Sequence, residues 1–349
     1  MANIGVVGGG SWGTALAQHM ACKGFEVDLW VREEEVRLQI EKEGVNQEFL
    51  PGVSLCSGIH PVQSFKEVSR NKDFLIITVP SQFFRGVFIE IDASLPRSTP
   101  VVVGTKGIEN ATLATMSQVA SSVWGTGCGD RFACLSGPSF AREVCARHPT
   151  AITLASRNLP MANEIQDYLS AEYFRIYTSN DVIGVELGGA LKNVIAIAAG
   201  ISDGLGLGSN ARAALITRGL AEITRLGVAM GAEPLTFSGL AGLGDLVLTC
   251  TGDLSRNRRV GFQIAEGRSV SGIVSSMKMI AEGVETTKAA FLLAQKMEVE
   301  MPITSEVYRI IYEGKDPREA VRELMTRKPK EELEWGTKRH HDRVTLSEL

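Results

Sequence analysis

The chain has 349 residues, a formal net charge of −4 and a hydrophobic fraction of 44%. This length is enough for two domains with separate cores, and the weakly acidic balance excludes a general basic field for nucleic acid or anionic lipid. The six cysteines show neither a Cys-x-x-Cys pair nor metal-ligand spacing with the five histidines. We therefore expect reduced, mostly buried thiols and no metal. Because no basic segment leads into a sustained apolar run at the start, we expect a cytoplasmic protein without a signal peptide.

Strand and helix patterns alternate through the first half of the chain. The predicted strands span residues 4–7, 26–31, 74–79, 101–103, 131–135 and 151–154. The predicted helices of this half span residues 14–23, 33–43 and 112–123. Such alternation is typical of an α/β fold with a doubly wound, Rossmann-type parallel sheet.

A glycine-rich turn joins the first strand to the first helix. It reads Gly8-Gly-Gly10-Ser-Trp-Gly13. In this context Gly8 allows a tight turn, Gly10 lets a pyrophosphate approach the backbone, and Gly13 lets the helix pack closely. A purely structural turn is the alternative. The strand–turn–helix setting favours binding of a dinucleotide.

Arg32 follows the second strand, at the position that contacts the adenosine ribose in such folds. A carboxylate there selects NAD, whereas an arginine accepts the 2′-phosphate of NADP. Glu33 comes directly after Arg32 and weakens this preference. The sequence thus indicates NAD or NADP, with Arg32 as a surface residue being the alternative.

Further polar side chains follow later strands, at the edge where a doubly wound sheet binds ligands. Lys106 follows the strand at 101–103 and precedes Gly107. Leu135-Ser-Gly-Pro-Ser139-Phe-Ala141 is a predicted turn into a helix, where Ser139 either holds an anion or caps the helix.

From about residue 180 helical patterns dominate. The predicted helices span residues 185–199, 211–230, 256–265, 286–296 and 303–312, which indicates an all-α C-terminal domain. The first is too short and too interrupted by polar residues and glycines to predict a membrane span. We place the domains at 1–179 and 180–326, followed by a charged tail at 327–349 that we expect to be solvated.

Lys192 is the only ionisable residue in the apolar segment 187–201. On a helix it shares a face with Gly188, Gly189, Ala196 and Ala199, so a substrate could approach its amine closely. Desolvation lowers the pKa of a lysine, which suits proton transfer. A structural lysine paired with Glu186 or Asp203 is the alternative.

A third polar cluster starts the helix at 256–265. Ser255 is a natural N-cap, and Arg256 and Asn257 fall in the first turn, where they could hold a phosphate. The glycine-rich segment 239–244 precedes it and predicts a flexible loop that carries Asp245. Contact of these arginines with nucleic acid is the weaker alternative, since no wider basic surface supports it.

Seven motifs in this order resemble bacterial NAD(P)-dependent glycerol-3-phosphate dehydrogenases, and the likeness runs from Ile4 to about Thr326. The motifs are Gly-Gly-Gly-Ser-Trp-Gly13, Thr105-Lys-Gly-Ile-Glu109, Leu135-Ser-Gly-Pro-Ser-Phe-Ala141, Glu186-Leu-Gly-Gly-Ala-Leu-Lys-Asn193, Gly239-Leu-Ala-Gly-Leu-Gly-Asp245, Ser255-Arg-Asn257 and Ala281-Glu-Gly-Val284.

The resemblance implies reversible hydride transfer between NAD(P)H and dihydroxyacetone phosphate, which supplies sn-glycerol 3-phosphate for glycerophospholipid synthesis, by a homodimer. It implies that Lys192, Lys106 and Asp245 are catalytic. The implied cofactor contacts are Gly8, Gly10, Ser11, Trp12, Gly13, Arg32, Lys106, Ala141, Arg256, Ile280 and Glu282. The implied substrate contacts are Lys106, Gly137, Ser139, Lys192, Asp245, Ser255, Arg256 and Asn257.

Two other functions stay open at this point. One is a β-hydroxyacid or 6-phosphogluconate type dehydrogenase, which shares the lysine–asparagine helix but acts on carboxylated substrates. The other is a non-catalytic module that senses dinucleotides, which would bind cofactor without turnover.

Overall fold

The computed structural model describes residues 2–125, 128–277, 281–329 and 331–332. Its first half is built on an eight-stranded sheet with the strand order β3-β2-β1-β4-β5-β6-β7-β8. The strands are β1 (Asn3–Val7), β2 (Glu26–Trp30), β3 (Ile59–Val62), β4 (Phe74–Ile77), β5 (Val101–Val103), β6 (Phe132–Ser136), β7 (Thr150–Ala155) and β8 (Phe174–Ser179).

The sheet is mostly parallel, as predicted, but β6 and β7 pair antiparallel. Two edge strands, β3 and β8, are not among the predicted strands. In β3 the residue Pro61 cannot donate a ladder hydrogen bond, which hides a short edge strand from pattern analysis. In β8, by contrast, buried Phe174 and Ile176 alternate with exposed positions, a period-2 signal that was present and overlooked.

Helices cover both faces of the sheet, so the doubly wound prediction is confirmed. Leu16 of the first helix packs with Ile165 on one face, and Phe84 packs with Val119 on the other. The helices of this half are α1 (Ser11–Cys22), α2 (Glu34–Glu43), α3 (Phe65–Ser69), α4 (Ser81–Asp92), α5 (Met116–Trp124), α6 (Cys128–Arg131), α7 (Ala141–Cys145) and α8 (Leu159–Leu169).

The second half is helical. Its α-helices are α9 (Val182–Gly204), α10 (Gly208–Ala229), α11 (Asp245–Thr251), α12 (Arg256–Ala265), α13 (Val270–Ser276), α14 (Glu282–Lys296), α15 (Pro302–Tyr312) and α16 (Pro317–Met325). A 3-10 helix, Pro234–Ser238, and a π-helix, Leu240–Gly244, precede α11. The tail predicted at 327–349 falls largely outside the described residues.

Helix α9 is the core of the helical half. It is long and apolar enough to cross a membrane, yet 94% of its most apolar window is buried inside the protein. Glycines let α9 and α12 touch through their backbones. A Cβ on Gly200 would lie 1.9 Å from the Arg258 carbonyl oxygen, and one on Gly261 would lie 2.0 Å from that of Ile197.

The cysteine prediction is wrong for one pair, because Cys22 and Cys56 form a disulfide. The chain after α2 folds back over α1, and the Cys56 amide donates to Gln18 Oε1 at 2.7 Å. This contact, 38 residues apart in sequence, leaves no spacing signal for pattern analysis to find. Among the cysteines whose side chains the structure describes, the other three are free thiols: Cys134, Cys145 and Cys250.

Candidate active site

The glycine-rich turn has the shape that a pyrophosphate requires. Gly8 adopts a φ of 123°, which favours glycine, and a Cβ on Gly13 would lie 1.9 Å from the Gly8 carbonyl oxygen. A Cβ on Gly10 would meet nothing within 4 Å, so the outer side of the turn is open. Gly10 is also the N-cap of α1, and no side chain caps the helix there. The first amides of α1 can therefore receive an anion.

Trp12, in the first turn of α1, places its indole N–H beside the residue that follows β5. The Nε1 atom is buried and has no hydrogen-bond partner in the described structure. A Cβ on Gly104, directly after β5, would lie 3.0 Å from this nitrogen. A buried donor without a partner is costly, so this N–H fits a ligand that supplies an acceptor.

Asn46 is a residue that sequence analysis missed. Its side-chain amide donates to the Gly9 carbonyl oxygen and to Thr14 Oγ1, both at 2.9 Å, and its Oδ1 accepts from the Phe49 amide at 3.0 Å. The hydroxyl of Ser11 donates to the Phe49 carbonyl oxygen at 2.5 Å. The segment after α2 thus holds the glycine-rich turn from outside. A single asparagine carries no local pattern that would have revealed this role.

Arg32 lies two residues beyond β2, with 69% of its side chain exposed. Its Nε and one terminal nitrogen donate to Glu33 Oε1 at 2.9 and 2.6 Å. The guanidinium is therefore accessible to a 2′-phosphate but shared with the neighbouring carboxylate. This geometry is consistent with both NAD and NADP.

Two lysines meet on one buried carboxylate at the junction of the sheet and the helical half. The ammonium of Lys192 donates to Asp245 Oδ1, and to Thr249 Oγ1 at 2.8 Å. The ammonium of Lys106 donates to Asp245 Oδ2 at 2.6 Å and to the Gly137 carbonyl oxygen at 3.1 Å. The partner of Lys192 is thus Asp245, and the alternative of a pair with Glu186 or Asp203 is wrong. Thr249 is a further residue that the sequence analysis missed.

The pKa of Lys192 is shifted into the range of physiological pH. This pKa is lowered to about 8: burial is the largest cause, the charge of Asp245 opposes it, and the positive charge of Lys106 adds to the lowering. Since Asp245 is shared, the cluster carries one more positive than negative charge when both amines are protonated. Such a site favours a developing negative charge on a substrate oxygen.

The small residues before Lys192 were predicted to let a substrate approach its amine, and at Gly188 and Gly189 it is other segments of the protein that approach this face. A Cβ on Gly188 would lie 2.5 Å from the Ala241 carbonyl oxygen, and one on Gly189 would lie 2.4 Å from Ser136 Oγ. The segment that delivers Asp245 is a π-helix continuing into α11, so the prediction of a flexible loop is wrong. Its backbone packs directly against α9, because Gly188 has no side chain to keep the two segments apart.

The segment after β6 supplies backbone acceptors to the site. Gly137 has a φ of 149°, and its carbonyl oxygen accepts both from Lys106 and from the Ser139 hydroxyl, the latter at 3.0 Å. Helix α7 begins at Ala141 with Phe140 as its N-cap, so Ser139 does not cap it. An anion site at Ser139 remains the sequence prediction.

Helix α12 begins as predicted, with Ser255 as N-cap accepting from the Arg258 amide at 3.2 Å. Arg256 is the first residue of the helix and is half-buried. Burial lowers the pKa of the Arg256 guanidinium, and the charge of Glu282 opposes this shift. A partly desolvated cation at the N-terminus of a helix suits a phosphate.

Asn257 joins this helix to the rest of the site. Its Nδ2 donates to Asn193 Oδ1 at 2.9 Å, and its Oδ1 accepts from the Gly283 amide at 3.0 Å. Asn193, next to Lys192, is thereby a site residue that the sequence analysis did not single out. Asn257 therefore has structural partners besides any substrate.

Glu282 starts α14 and accepts from the Ser81 hydroxyl at 3.0 Å, across the crevice from α4. Burial raises the pKa of Glu282 to about 7, although Ser81 and Arg256 oppose the shift. The other predicted contact of this region, Ile280, lies outside the described residues.

The sheet with its glycine-rich turn, facing a helical half that carries a buried lysine, defines a dinucleotide-dependent dehydrogenase. Comparison with known proteins specifies the family. The model of the NAD-dependent glycerol-3-phosphate dehydrogenase N-terminus matches residues 3–162, and that of the C-terminus matches residues 181–322. The chain belongs to this family of oxidoreductases, as the resemblance predicted.

Individual relatives agree. Glycerol-3-phosphate dehydrogenase [NAD(P)+] of Syntrophobacter fumaroxidans is 57% identical over 95% of this chain and 98% of its own length. The protein of the same name from Geobacter metallireducens is 54% identical over 94% of this chain and 98% of its own length. The crystal structure of glycerol-3-phosphate dehydrogenase from Coxiella burnetii has a TM-score of 0.89 and 42% identity, covering 93% of this chain and 99% of that one.

Proposed function

We propose that this chain interconverts dihydroxyacetone phosphate and sn-glycerol 3-phosphate with NAD(P)H or NAD(P)+, and that Lys192 carries the proton. The observation that supports this role most directly is the pair of lysines on the buried carboxylate of Asp245, at the edge of the sheet where such folds bind a dinucleotide. The product is a precursor of glycerophospholipids, so we place the enzyme in lipid synthesis.

The two halves divide the work. Residues 1–179 bind the cofactor through Gly8, Gly10, Gly13, Ser11 and Trp12, with Arg32 at the ribose. Residues 180–326 supply the proton carrier and the phosphate site. Residues from both halves complete the cofactor site: Lys106, Ala141, Arg256, Ile280 and Glu282.

The bound nicotinamide supplies the hydride in reduction and accepts it in oxidation. During reduction the ammonium of Lys192 gives its proton to the ketone oxygen of the substrate, and during oxidation the neutral amine takes the proton back. Lys106 stabilises the negative charge that develops on that oxygen. Asp245 holds both amines in place and prevents two unscreened cations from repelling each other.

The substrate phosphate binds at the start of α12, on Arg256 with the Ser255 and Asn257 region around it, and Gly137 and Ser139 complete the substrate site. Binding energy from this remote phosphate positions the ketone carbon for transfer. A truncated substrate without phosphate should therefore lose turnover as well as affinity.

The family match supports this function over both alternatives. A β-hydroxyacid or 6-phosphogluconate type enzyme would need a carboxylate site, and a sensing module would need no buried lysine pair. We further propose a cytoplasmic homodimer, for which the resemblance is the support. Sedimentation velocity of the purified chain tests the dimer.

The phosphate site is tested with Arg256→Ala on two substrates. We expect kcat/KM for dihydroxyacetone phosphate to fall by at least about 30-fold, equivalent to about 2 kcal/mol for a lost charged hydrogen bond. The weak activity on unphosphorylated dihydroxyacetone should change far less. The control is Arg259→Ala, an exposed arginine on the same helix. An equal loss on both substrates, with unchanged NADH affinity, would refute the phosphate assignment.

A further inference from the structure

Glu186 is a buried carboxylate for which the proposed mechanism has no use. It lies on α9, six residues before Lys192, and is 6% exposed. Its two oxygens accept hydrogen bonds from Ser117 of the sheet half, and the Thr115 side chain also bonds to the carboxylate. The Ser117 amide donates to Oε1 at 2.7 Å, and the Ser117 hydroxyl donates to Oε2 at 2.6 Å.

Ser117 belongs to the first turn of α5, whose N-cap is Thr115. The amides of a first turn have no partner inside their own helix, and that end of the helix dipole is positive. The Glu186 carboxylate satisfies one of these amides from the other half of the molecule. The contact thus docks the helix of Lys192 onto the start of α5.

The same segment carries the second lysine. Between the end of β5 at Val103 and the start of α5 at Met116 runs the loop that contains Lys106. Gln82 of α4 holds the middle of this loop, donating to the Ile108 carbonyl oxygen at 2.8 Å. Glu186 holds its far end to α9. Helix α9 therefore reaches Lys106 indirectly, because Lys192 and Lys106 share Asp245 of α11, and it holds the end of the loop directly through Glu186.

We infer that Glu186 is a positioning residue, which sets the separation of Lys106 and Lys192 by fixing the end of the Lys106 loop to the helix of Lys192. This inference rests on the proposed roles of the two lysines. Without the Glu186 contact the loop keeps its attachments to α4 and, through Asn110, to Glu285 of α14, but its end is no longer held to α9 by a carboxylate. Lys106 then spends less time beside Asp245 and Lys192.

A change in that separation has a signature that general destabilisation lacks. The pKa of Lys192 is set by burial and by two charged groups, Asp245 on α11 and Lys106 on the loop. Since Lys106 lowers this pKa, retreat of Lys106 should raise it. The alkaline limb of the reduction rate then moves to higher pH. The Cys134 thiol on β6 lies close enough to Glu186 to interact with its charge.

The experiment measures kcat against pH for dihydroxyacetone phosphate reduction, with NADH affinity and melting temperature for each variant. In Glu186→Ala we expect kcat to fall by about tenfold, the limb to move up by about half a pH unit, and KM for NADH to stay within about twofold. Glu186→Gln can still accept from the Ser117 amide. It should retain at least about a third of kcat with an unmoved limb, which also shows that the limb is not the titration of Glu186.

Two further variants keep the test decisive. Ser117→Ala removes one donor from the opposite side without touching α9, and it tests the same contact if Glu186→Ala does not fold. The matched control is Glu222→Ala. Glu222 is another buried carboxylate that accepts from first-turn amides, those of Ile303 and Thr304 at 2.6 and 3.1 Å, and it has no part in the proposed site. We expect this control to lower the melting temperature and leave the limb unmoved.

The outcomes separate the two proposals. A shifted limb in Glu186→Ala or Ser117→Ala, with a fixed limb in Glu222→Ala, supports the inference. If the wild type reduces dihydroxyacetone phosphate and the alkaline limb is unmoved in every variant, the role of Glu186 is overturned and the proposed function stands. A wild type that does not reduce dihydroxyacetone phosphate overturns the proposed function, and the inference with it.

Discussion

Asp245 determines the position and the net charge of the lysine cluster. Its carboxylate is almost completely buried, and each oxygen accepts from a different ammonium. One carboxylate does not neutralise two cations, so the cluster keeps a net positive charge when both amines are protonated. That charge makes Lys192 more acidic while stabilising an oxyanion, which are the two properties that ketone reduction needs.

The pH dependence of turnover follows from the pKa of about 8 for Lys192. With Lys192 as the proposed proton carrier, reduction needs the protonated amine, so kcat should be constant below that pH and fall above it. Oxidation needs the neutral amine, so its kcat should rise through the same pH. In Lys106→Met the cation that lowers this pKa is removed, and the reduction limb should move upward while kcat decreases. Steady-state rates across pH check this, and a limb that moves downward would contradict it.

Cofactor choice depends on Arg32 and its neighbour. In Arg32→Asp we expect KM for NADPH to rise by about tenfold or more, from loss of a charged hydrogen bond, while KM for NADH changes by less than about threefold. Glu33→Gln is the opposite change, because it frees the guanidinium from its ion pair. That variant should bind NADPH more tightly. Equal effects on both cofactors would remove Arg32 from the 2′-phosphate site.

At the scale of elements, the segment after α2 holds the glycine-rich turn in place. Asn46 reaches the turn directly, Gln18 bonds to the Ser54 carbonyl oxygen at 3.1 Å, and the Cys22–Cys56 disulfide joins the same two pieces of chain. These contacts fix the backbone that we propose faces the pyrophosphate of the cofactor. Preorganisation of this kind lowers the entropy cost of binding.

We expect Asn46→Ala to raise KM for NADH by about fivefold, since two hydrogen bonds to the turn and the first helix are lost. Turnover at saturating cofactor should change less, because the lysines are untouched. Gln18→Ala is the control: it loosens the same segment away from the turn and should lower the melting temperature with little effect on KM. Equal KM values for wild type and Asn46→Ala would show that the hydrogen bonds of Asn46 do not contribute to cofactor binding.

Local patterns predicted those elements whose residues carry their own signal. The strand at Val101–Val103 and the helix at Arg256–Ala265 match the predicted bounds, the first through continuous burial and the second through its Ser255 cap. The π-helix at Leu240–Gly244 was not predictable in this way. Glycines normally indicate a loop, and here packing against α9 overrides that tendency.

At the scale of the molecule, contacts between side chains of the two halves converge on carboxylates of the helical half. Asp245 accepts from Lys106, Glu186 from Ser117, Glu282 from Ser81, and Glu285 from Asn110 at 2.7 Å. The donors lie after β4 and β5, at the carboxyl edge of the sheet. The contacts that join the two halves therefore lie around the proposed site for cofactor and substrate.

The sequence predicted Lys192 because a lone charge in an apolar helix is a strong local anomaly. It did not reveal Asn46, Thr249 or Asn193, whose roles depend on which distant segments they meet. Nor could it choose among Glu186, Asp203 and Asp245 as partner of the lysine, because that choice is made by tertiary packing of α11 on α9. Composition and spacing identify residue types, whereas the fold decides their neighbours.

The most direct test of the central claim follows the loss of reduced nicotinamide on addition of dihydroxyacetone phosphate, for wild type and Lys192→Met in parallel. We expect wild type to oxidise the cofactor only when that substrate is present. Lys192→Met should be slower by about 10²–10⁴-fold, since it keeps the bulk of the side chain but cannot carry a proton. NADH affinity, measured by fluorescence, should be unchanged. A variant within about tenfold of the wild-type rate would contradict the assignment of Lys192 as proton carrier.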